Sequence, residues 1–238
     1  QGSPFLRGFT GFRTLTLVDG VRLNNSVFRD GPNQYNATID PYTIARLEVV
    51  KGPSSVLYGS DAVGGTLNVI TRAWEFEEED GLLWKRRAVY RFSSAEDSHT
   101  VRLETSGQVD RRFAFLVGGT WKDYDELRAG GDEGRQANTG YDEWDADGKF
   151  SFRLRPNLML TIAHQRVDLN DAARTHATVF GVEWHGTRVG SDFERDFDQD
   201  RRLTYLRAEW TEAGSFFDEA GFMLSLHEQD ERQTRIAS

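Results

Sequence analysis

Between Trp144 and Arg155 the chain alternates without a break. Even positions hold Trp144, Ala146, Gly148, Phe150, Phe152 and Leu154; odd positions hold Asp145, Asp147, Lys149, Ser151, Arg153 and Arg155. A period of two places the sets on opposite faces of one β-strand. One face is apolar or small, and the other is polar and mostly charged. The same alternation, less clean, recurs over residues 87–93, 99–108, 113–124, 158–167, 203–212 and 220–232, so the chain after residue 87 is expected to hold about seven strands. The connections alternate too. Tight ones fall at 109–112, 155–157 and 212–217, and long polar loops at about 124–143 and 168–200.

Strands with one lipid-compatible face and one water-demanding face, joined by short turns at one end and long loops at the other, are the pattern of an outer-membrane barrel. Only a helix or a closed barrel crosses a bilayer with its backbone groups paired. The aromatic residues agree. Trp121 and Trp144 fall at the long-loop rim, and Phe113, Phe216 and Phe217 beside the short turns, where two interfacial belts are expected. A soluble β-rich binding protein would have to bury Asp145, Lys149, Arg153 and Arg155, and a passive pore would not open with the unit described next.

Residues 1–73 have another character, punctuated by glycine and proline. "TLTLVDGVRL" reads as a hairpin turning at Asp19-Gly20. "DPYTIARLEVVKG" starts a helical turn capped by Asp40 with Pro41 first, then a strand from about Arg46 to Val50. "PSSVLYG" is one turn of helix stopped at Gly59, and "GTLNVITR" is another strand. The expected organisation is a small α/β unit over 1–73, a linker over 74–86, and antiparallel barrel strands over 87–238.

Composition removes several functions. The chain has 238 residues, no cysteine and a formal charge of −9, against disulfides, thiolate metal sites and nucleic-acid binding. No run of about 18 apolar residues offers a transmembrane helix. The glycine-rich stretch from Lys51 to Gly65 invites a nucleotide reading, but no lysine stands where a Walker loop needs one and no G-x-G opens a Rossmann fingerprint. Ser60-Asp61 and the scattered histidines form no catalytic triad, so no enzyme, cofactor or metal centre is expected. "DFERDFDQD" over 192–200 reads as an exposed acidic loop without EF-hand spacing.

The motifs "FLRGF", "TLTLVDGVRLNN" and "TIDPYTIARLEVVKGPSSVLYGSDAVGGTLNVITR" stand in series over the first 72 residues. In order and spacing they resemble the second half of the plug domain of TonB-dependent outer-membrane receptors, and the alternating strands resemble the start of that family's barrel. The resemblance implies a mixed α/β plug within an antiparallel transmembrane barrel of about 22 strands, of which this chain holds about seven, with the rest of the plug, the coupling segment and the later strands beyond it. It implies a place in the bacterial outer membrane, contact with its lipid, energy coupling through the TonB complex, and uptake of a scarce ligand. A ferric siderophore comes first, then haem, haemoglobin or cobalamin. It maps the ligand-facing plug apices onto Phe12 and Arg13 and onto the loop with Asn25, Phe28, Arg29, Asn33, Gln34 and Tyr35. Arg7, Arg46 and Glu48 are expected at plug–barrel contacts, with Glu104, Asp145 and Asp147 as wall acids, or within the plug itself. His176 and His185, on a long loop, are read as solvated residues rather than haem ligands.

Overall fold

The computed structural model describes residues 3–24, 35–132, 134–183, 188–212 and 217–237. The chain divides into two compact units, Gln1–Phe76 and Glu77–Ser238.

In the first unit a 3-10 turn at Gly11–Arg13 leads into β1 (Thr14–Val18) and β2 (Val21–Arg22). Further 3-10 turns lie at Tyr35–Thr38 and Pro41–Thr43, followed by β3 (Ile44–Lys51), α1 (Ser55–Tyr58) and β4 (Gly65–Thr71). The sheet order is β2-β1-β4-β3, with β1 parallel to β4 and the other neighbours antiparallel. The local signals act as expected. Asp19 and Gly20 take φ of 51° and 83°, the positive pair of a tight hairpin turn. Asp40 accepts from the Tyr42 N–H at 3.1 Å and caps the turn that Pro41 opens. β1 is buried throughout, with Leu15 and Leu17 packed on Ala62 and Tyr58.

Two polar clamps tie this unit across its sequence. Buried Asp19 accepts from the Thr71 N–H at 2.8 Å and the Thr71 hydroxyl at 2.6 Å. Arg22 donates to Asp61 at 3.0 Å, the Ser60 hydroxyl at 3.1 Å and the carbonyls of Tyr58 and Ser60 at 3.3 and 3.1 Å. The Lys51–Gly65 stretch is thereby folded onto the sheet. Its glycines serve close approach: a Cβ on Gly64 would lie 2.5 Å from the Cβ of Phe9, and one on Gly65 2.4 Å from the Val50 carbonyl oxygen.

The second unit is a seven-stranded sheet in chain order: β5 (Leu82–Ser93), β6 (Ser98–Val109), β7 (Phe113–Tyr124), β8 (Tyr141–Arg155), β9 (Leu158–Ala173), β10 (Glu194–Thr211) and β11 (Glu219–Ile236). Every neighbouring pair is antiparallel. β5 begins at Leu82, inside the segment read as linker. β9 and β10 run well past their expected ends, so the second long loop is much shorter than 168–200. The stretch expected as an acidic loop is strand from Glu194 onward, and its acids are one face of that strand.

The faces are inverted relative to a water-soluble sheet. Arg102, Lys122, Glu104 and Asp145 are at most 6% exposed, while Leu103, Phe222, Leu224 and Leu226 are more than 60% exposed. Arg102 pairs with Glu104 at 2.9 Å and Asp147 at 2.8 Å, and Lys122 lies between Glu143 at 2.5 Å and Asp145 at 2.8 Å. Charge on the buried face and apolar groups on the open one fit a wall with lipid outside.

The pairings also give the slope of that wall. The outward apolar run ends at Phe92 on β5 and at Leu226 on β11. The ladder row through Leu226 runs by Thr204, His164, Gly148, Val117 and Thr105 to Arg86. From Arg86 to Phe92 is six residues and from β5 to β11 is six strands, so the apolar edge steps about one residue per strand. At ~3.4 Å per residue and ~4.8 Å between strands this is a slope of ~35°. Strands of membrane barrels tilt by about 35–45°.

Candidate functional site

The first unit brings together the segments expected to face a ligand. Thr14 donates its hydroxyl to the Phe9 carbonyl at 3.1 Å, and Gly64 donates its N–H to the Arg13 carbonyl at 2.7 Å. Asn24 is the side chain that composes the site. Its amide nitrogen donates to the Thr14 carbonyl at 3.0 Å, and its amide oxygen accepts from the Thr16 N–H at 3.0 Å. Both bonds are buried, so the chain leaving β2 is pinned beside the start of β1. At the far end of that excursion, the Thr38 hydroxyl donates to the Tyr35 carbonyl at 2.7 Å. Gly11, Thr14, Asn24 and Tyr35 line one crevice of about 10 Å³, room for about one water. Gly11 of the first turn, Asn24 and Tyr35 therefore meet at one place.

Phe12, in the turn that Gly11 opens, is half-buried, and Arg13 is exposed. Tyr35 is 5% exposed and packs against the crevice. Asn25, Phe28, Arg29, Asn33 and Gln34 lie outside the described residues. An exposed guanidinium next in sequence to an aromatic residue can hold an anionic or aromatic group by charge-assisted hydrogen bonds and stacking. Sequence reasoning missed Asn24, whose signal is only its place directly after a short strand.

The residues expected at plug–barrel contacts have these surroundings. Arg46 pairs with Glu48 at 2.9 Å, and Glu48 also accepts from Asn68 at 3.1 Å. The Arg46 hydrogen bond, then that from Asn68, holds the Glu48 carboxyl below its ordinary value. Arg7 has a φ of 53° and lies against Gly52, where a Cβ would come 3.3 Å from its Nη1. Glu104 and Asp147 bond Arg102, and Asp145 is ion-paired with Lys122. Of the two loop histidines, His176 shares its Nε2 with the Arg195 guanidinium at 3.1 Å, and His185 lies outside the described residues.

Residues 1–66 match the TonB-dependent receptor plug domain family. An iron-regulated outer membrane virulence protein of Vibrio cholerae is 31% identical over 164 residues, covering 66% of this chain and 24% of that protein. A vitamin B12 transporter of Vibrio vulnificus is 47% identical over 78 residues, covering 33% of this chain and 12% of that protein. The chain thus spans about a quarter or less of the curated relatives it matches. The fold is that of the FrpB iron transporter of Neisseria meningitidis, with a TM-score of 0.79 at 16% identity over 97% of this chain and 36% of that one. None of the three is named as an enzyme.

Proposed function

For a chain that belongs to the TonB-dependent receptors of the bacterial outer membrane, we propose a part in energy-coupled import of an iron chelate, a ferric siderophore first. The observation that carries this reading is the crevice where Gly11, directly ahead of half-buried Phe12 and exposed Arg13, meets Asn24 and Tyr35. A cation next in sequence to an aromatic residue suits a chelate with anionic, aromatic ligand groups. The iron-named relative in Vibrio cholerae and the iron transporter of like fold point the same way. The chain contributes recognition and a movable unit rather than covalent chemistry, and the TonB complex is the partner that supplies force.

Cobalamin is the second reading, because a relative with the higher identity, 47% over 78 residues, is a vitamin B12 transporter. The two separate in cells carrying the full-length receptor as their only candidate importer. Radio-iron uptake from ferric siderophores, lost on disabling the TonB complex and reduced by Arg13→Ala, is the expected result. Cobalamin-dependent growth without iron uptake replaces the first reading by the second, and uptake indifferent to the TonB complex removes both.

A further inference from the structure

One arginine faces lipid without an acid beside it among the described residues. The outward face of β5 carries Leu82, Trp84, Arg86, Ala88, Tyr90 and Phe92. Phe92 marks the upper apolar edge on this strand, and Arg86 lies six residues below it. That is ~20 Å along the strand and ~17 Å in depth at the ~35° slope. In an apolar band about 25 Å tall, Arg86 therefore stands in the third nearest the short turns, with Trp84 below it at the interface. Between the row through Leu82 and the upper edge, Arg86 is the only arginine or lysine on the outward face of the described strands.

Other outward arginines are compensated. Arg166 and Arg202 stand at the upper edge; Arg166 pairs with Asp168 and Asp200, both at 2.7 Å, and Arg202 with Asp200 at 2.9 Å. Arg86 rests instead on an aromatic ring, its Cζ 4.0 Å from the centre of the Trp84 ring. Trp84 is held in turn by its Nε1–H, which donates to the Thr105 hydroxyl. The guanidinium thus reaches down toward the short-turn interface, as a long cationic side chain does from within lipid. Above this pair the outward face is hollow. Ala88, Leu103 and Gly119 form one ladder row, and Arg86, Thr105 and Val117 the row beneath. Together with Trp84 these rows bound an open groove of about 600 Å³, within the about 300–1,000 Å³ usual for ligand sites. Ala88 and Gly119 keep its floor low, and the exposed side chains of Leu103 and Val117 flank it.

We infer that one anionic phospholipid of the leaflet on the short-turn side docks here, with its phosphate diester on the Arg86 guanidinium beside Trp84 and an acyl chain along the groove over Ala88 and Gly119. A guanidinium offers paired N–H donors to two phosphate oxygens, and an indole suits the boundary between headgroup and chain. The polar end of the site lies at the interface and its apolar length leads toward the middle of the bilayer, which is the layout of a lipid. Charge selects the headgroup. An unpaired cation on a lipid face is costly; a zwitterionic lipid brings its own ammonium to its phosphate, whereas a net anionic lipid supplies the charge that Arg86 lacks. The site is independent of which ligand the receptor imports.

The test uses the delipidated full-length receptor, titrated with phosphatidylglycerol or phosphatidylcholine and released from detergent in native mass spectrometry. The wild type is expected to keep one phosphatidylglycerol in preference to phosphatidylcholine. Arg86→Gln is expected to weaken that retention about tenfold, ~1.4 kcal/mol, and to erase the preference, with Arg86→Lys falling between. Gly119→Leu, which fills the groove from a position where a Cβ has 3.5 Å of room, is expected to weaken both lipids alike. Arg202→Gln, at the upper edge, serves as the control that leaves retention unchanged. Retained heat-modifiable mobility establishes that each variant is folded. Absence of a retained lipid on the wild type overturns the proposal. So does equal retention by wild type and Arg86→Gln, the result if an acid from another strand beside β5 neutralises Arg86.

Discussion

Asp19 is the single side chain on which the first unit's sheet is expected to depend most. It sits at a φ of 51° in the β1–β2 turn and is 3% exposed. Both its oxygens accept from Thr71, 52 residues away at the end of β4. A hydrogen bond to a charged group contributes about 1.5–3 kcal/mol, and a buried donor left alone costs about 1–3 kcal/mol. Asp19→Ala loses both bonds, orphans the Thr71 N–H and places alanine at positive φ, for ~3–5 kcal/mol in all. Thr71→Val keeps the shape and the backbone bond and removes only the hydroxyl donor, for ~1–2 kcal/mol. Asp19→Asn tolerates the left-handed turn and keeps one acceptor, and falls between them. Hydrogen exchange on the full-length receptor measures this order directly. Peptides covering residues 14–24 and 65–72 should exchange about a hundredfold faster or more in Asp19→Ala and about tenfold faster in Thr71→Val, at ~1.4 kcal/mol per decade. Equal rates in the three variants, or an equal acceleration in β6 and β7, would refute a clamp local to this sheet.

A Cβ on Gly118 would lie 2.3 Å from the Arg102 guanidinium, which Glu104 and Asp147 hold; Gly118→Ala is therefore expected to cost ~2–4 kcal/mol and to lower the temperature at which the barrel loses its heat-modifiable mobility, whereas Gly119→Ala, with 3.5 Å of room, should leave it unchanged. Leu224→Arg on the exposed apolar face should cost ~2–4 kcal/mol if that face meets the middle of the bilayer, lowering the fraction of folded receptor in the outer membrane, while Thr234→Arg, well beyond the apolar edge and opposite Asp196, should stay at the wild-type level. Glu48, held below its ordinary value of 4.5 by Arg46 and then Asn68, is charged and paired above that value, and its contribution is lost as pH falls through the lowered one. Acid should therefore speed exchange in β3 of the wild type more than in Glu48→Gln.

The parts legible in the sequence are those where one local feature sets the backbone. Asp19-Gly20 turned a hairpin, Asp40-Pro41 opened a helical turn, and Trp144 to Arg155 alternated cleanly because lipid and water faced its two sides. The contacts that fix the first unit were not legible. Arg22 reaches Asp61 across 39 residues, and Asp19 reaches Thr71 across 52, and nothing local marks either partner. Nor was Asn24 legible, since its role depends on where β1 lies.

The misreading of residues 192–200 has a different cause. Alternation in hydropathy records two solvents, and it fades where a strand rises out of the lipid and its outer face meets water. The period of two does not fade, because the pleat that sets it does not depend on solvent. Beyond the apolar edge on β10 it passes into charge, with Glu194, Asp196, Asp198 and Asp200 on one face and Arg195, Phe197, Gln199 and Arg201 on the other. A search for apolar residues at every second position ends that strand near Leu203. A search for any property repeating at every second position carries it to Glu194.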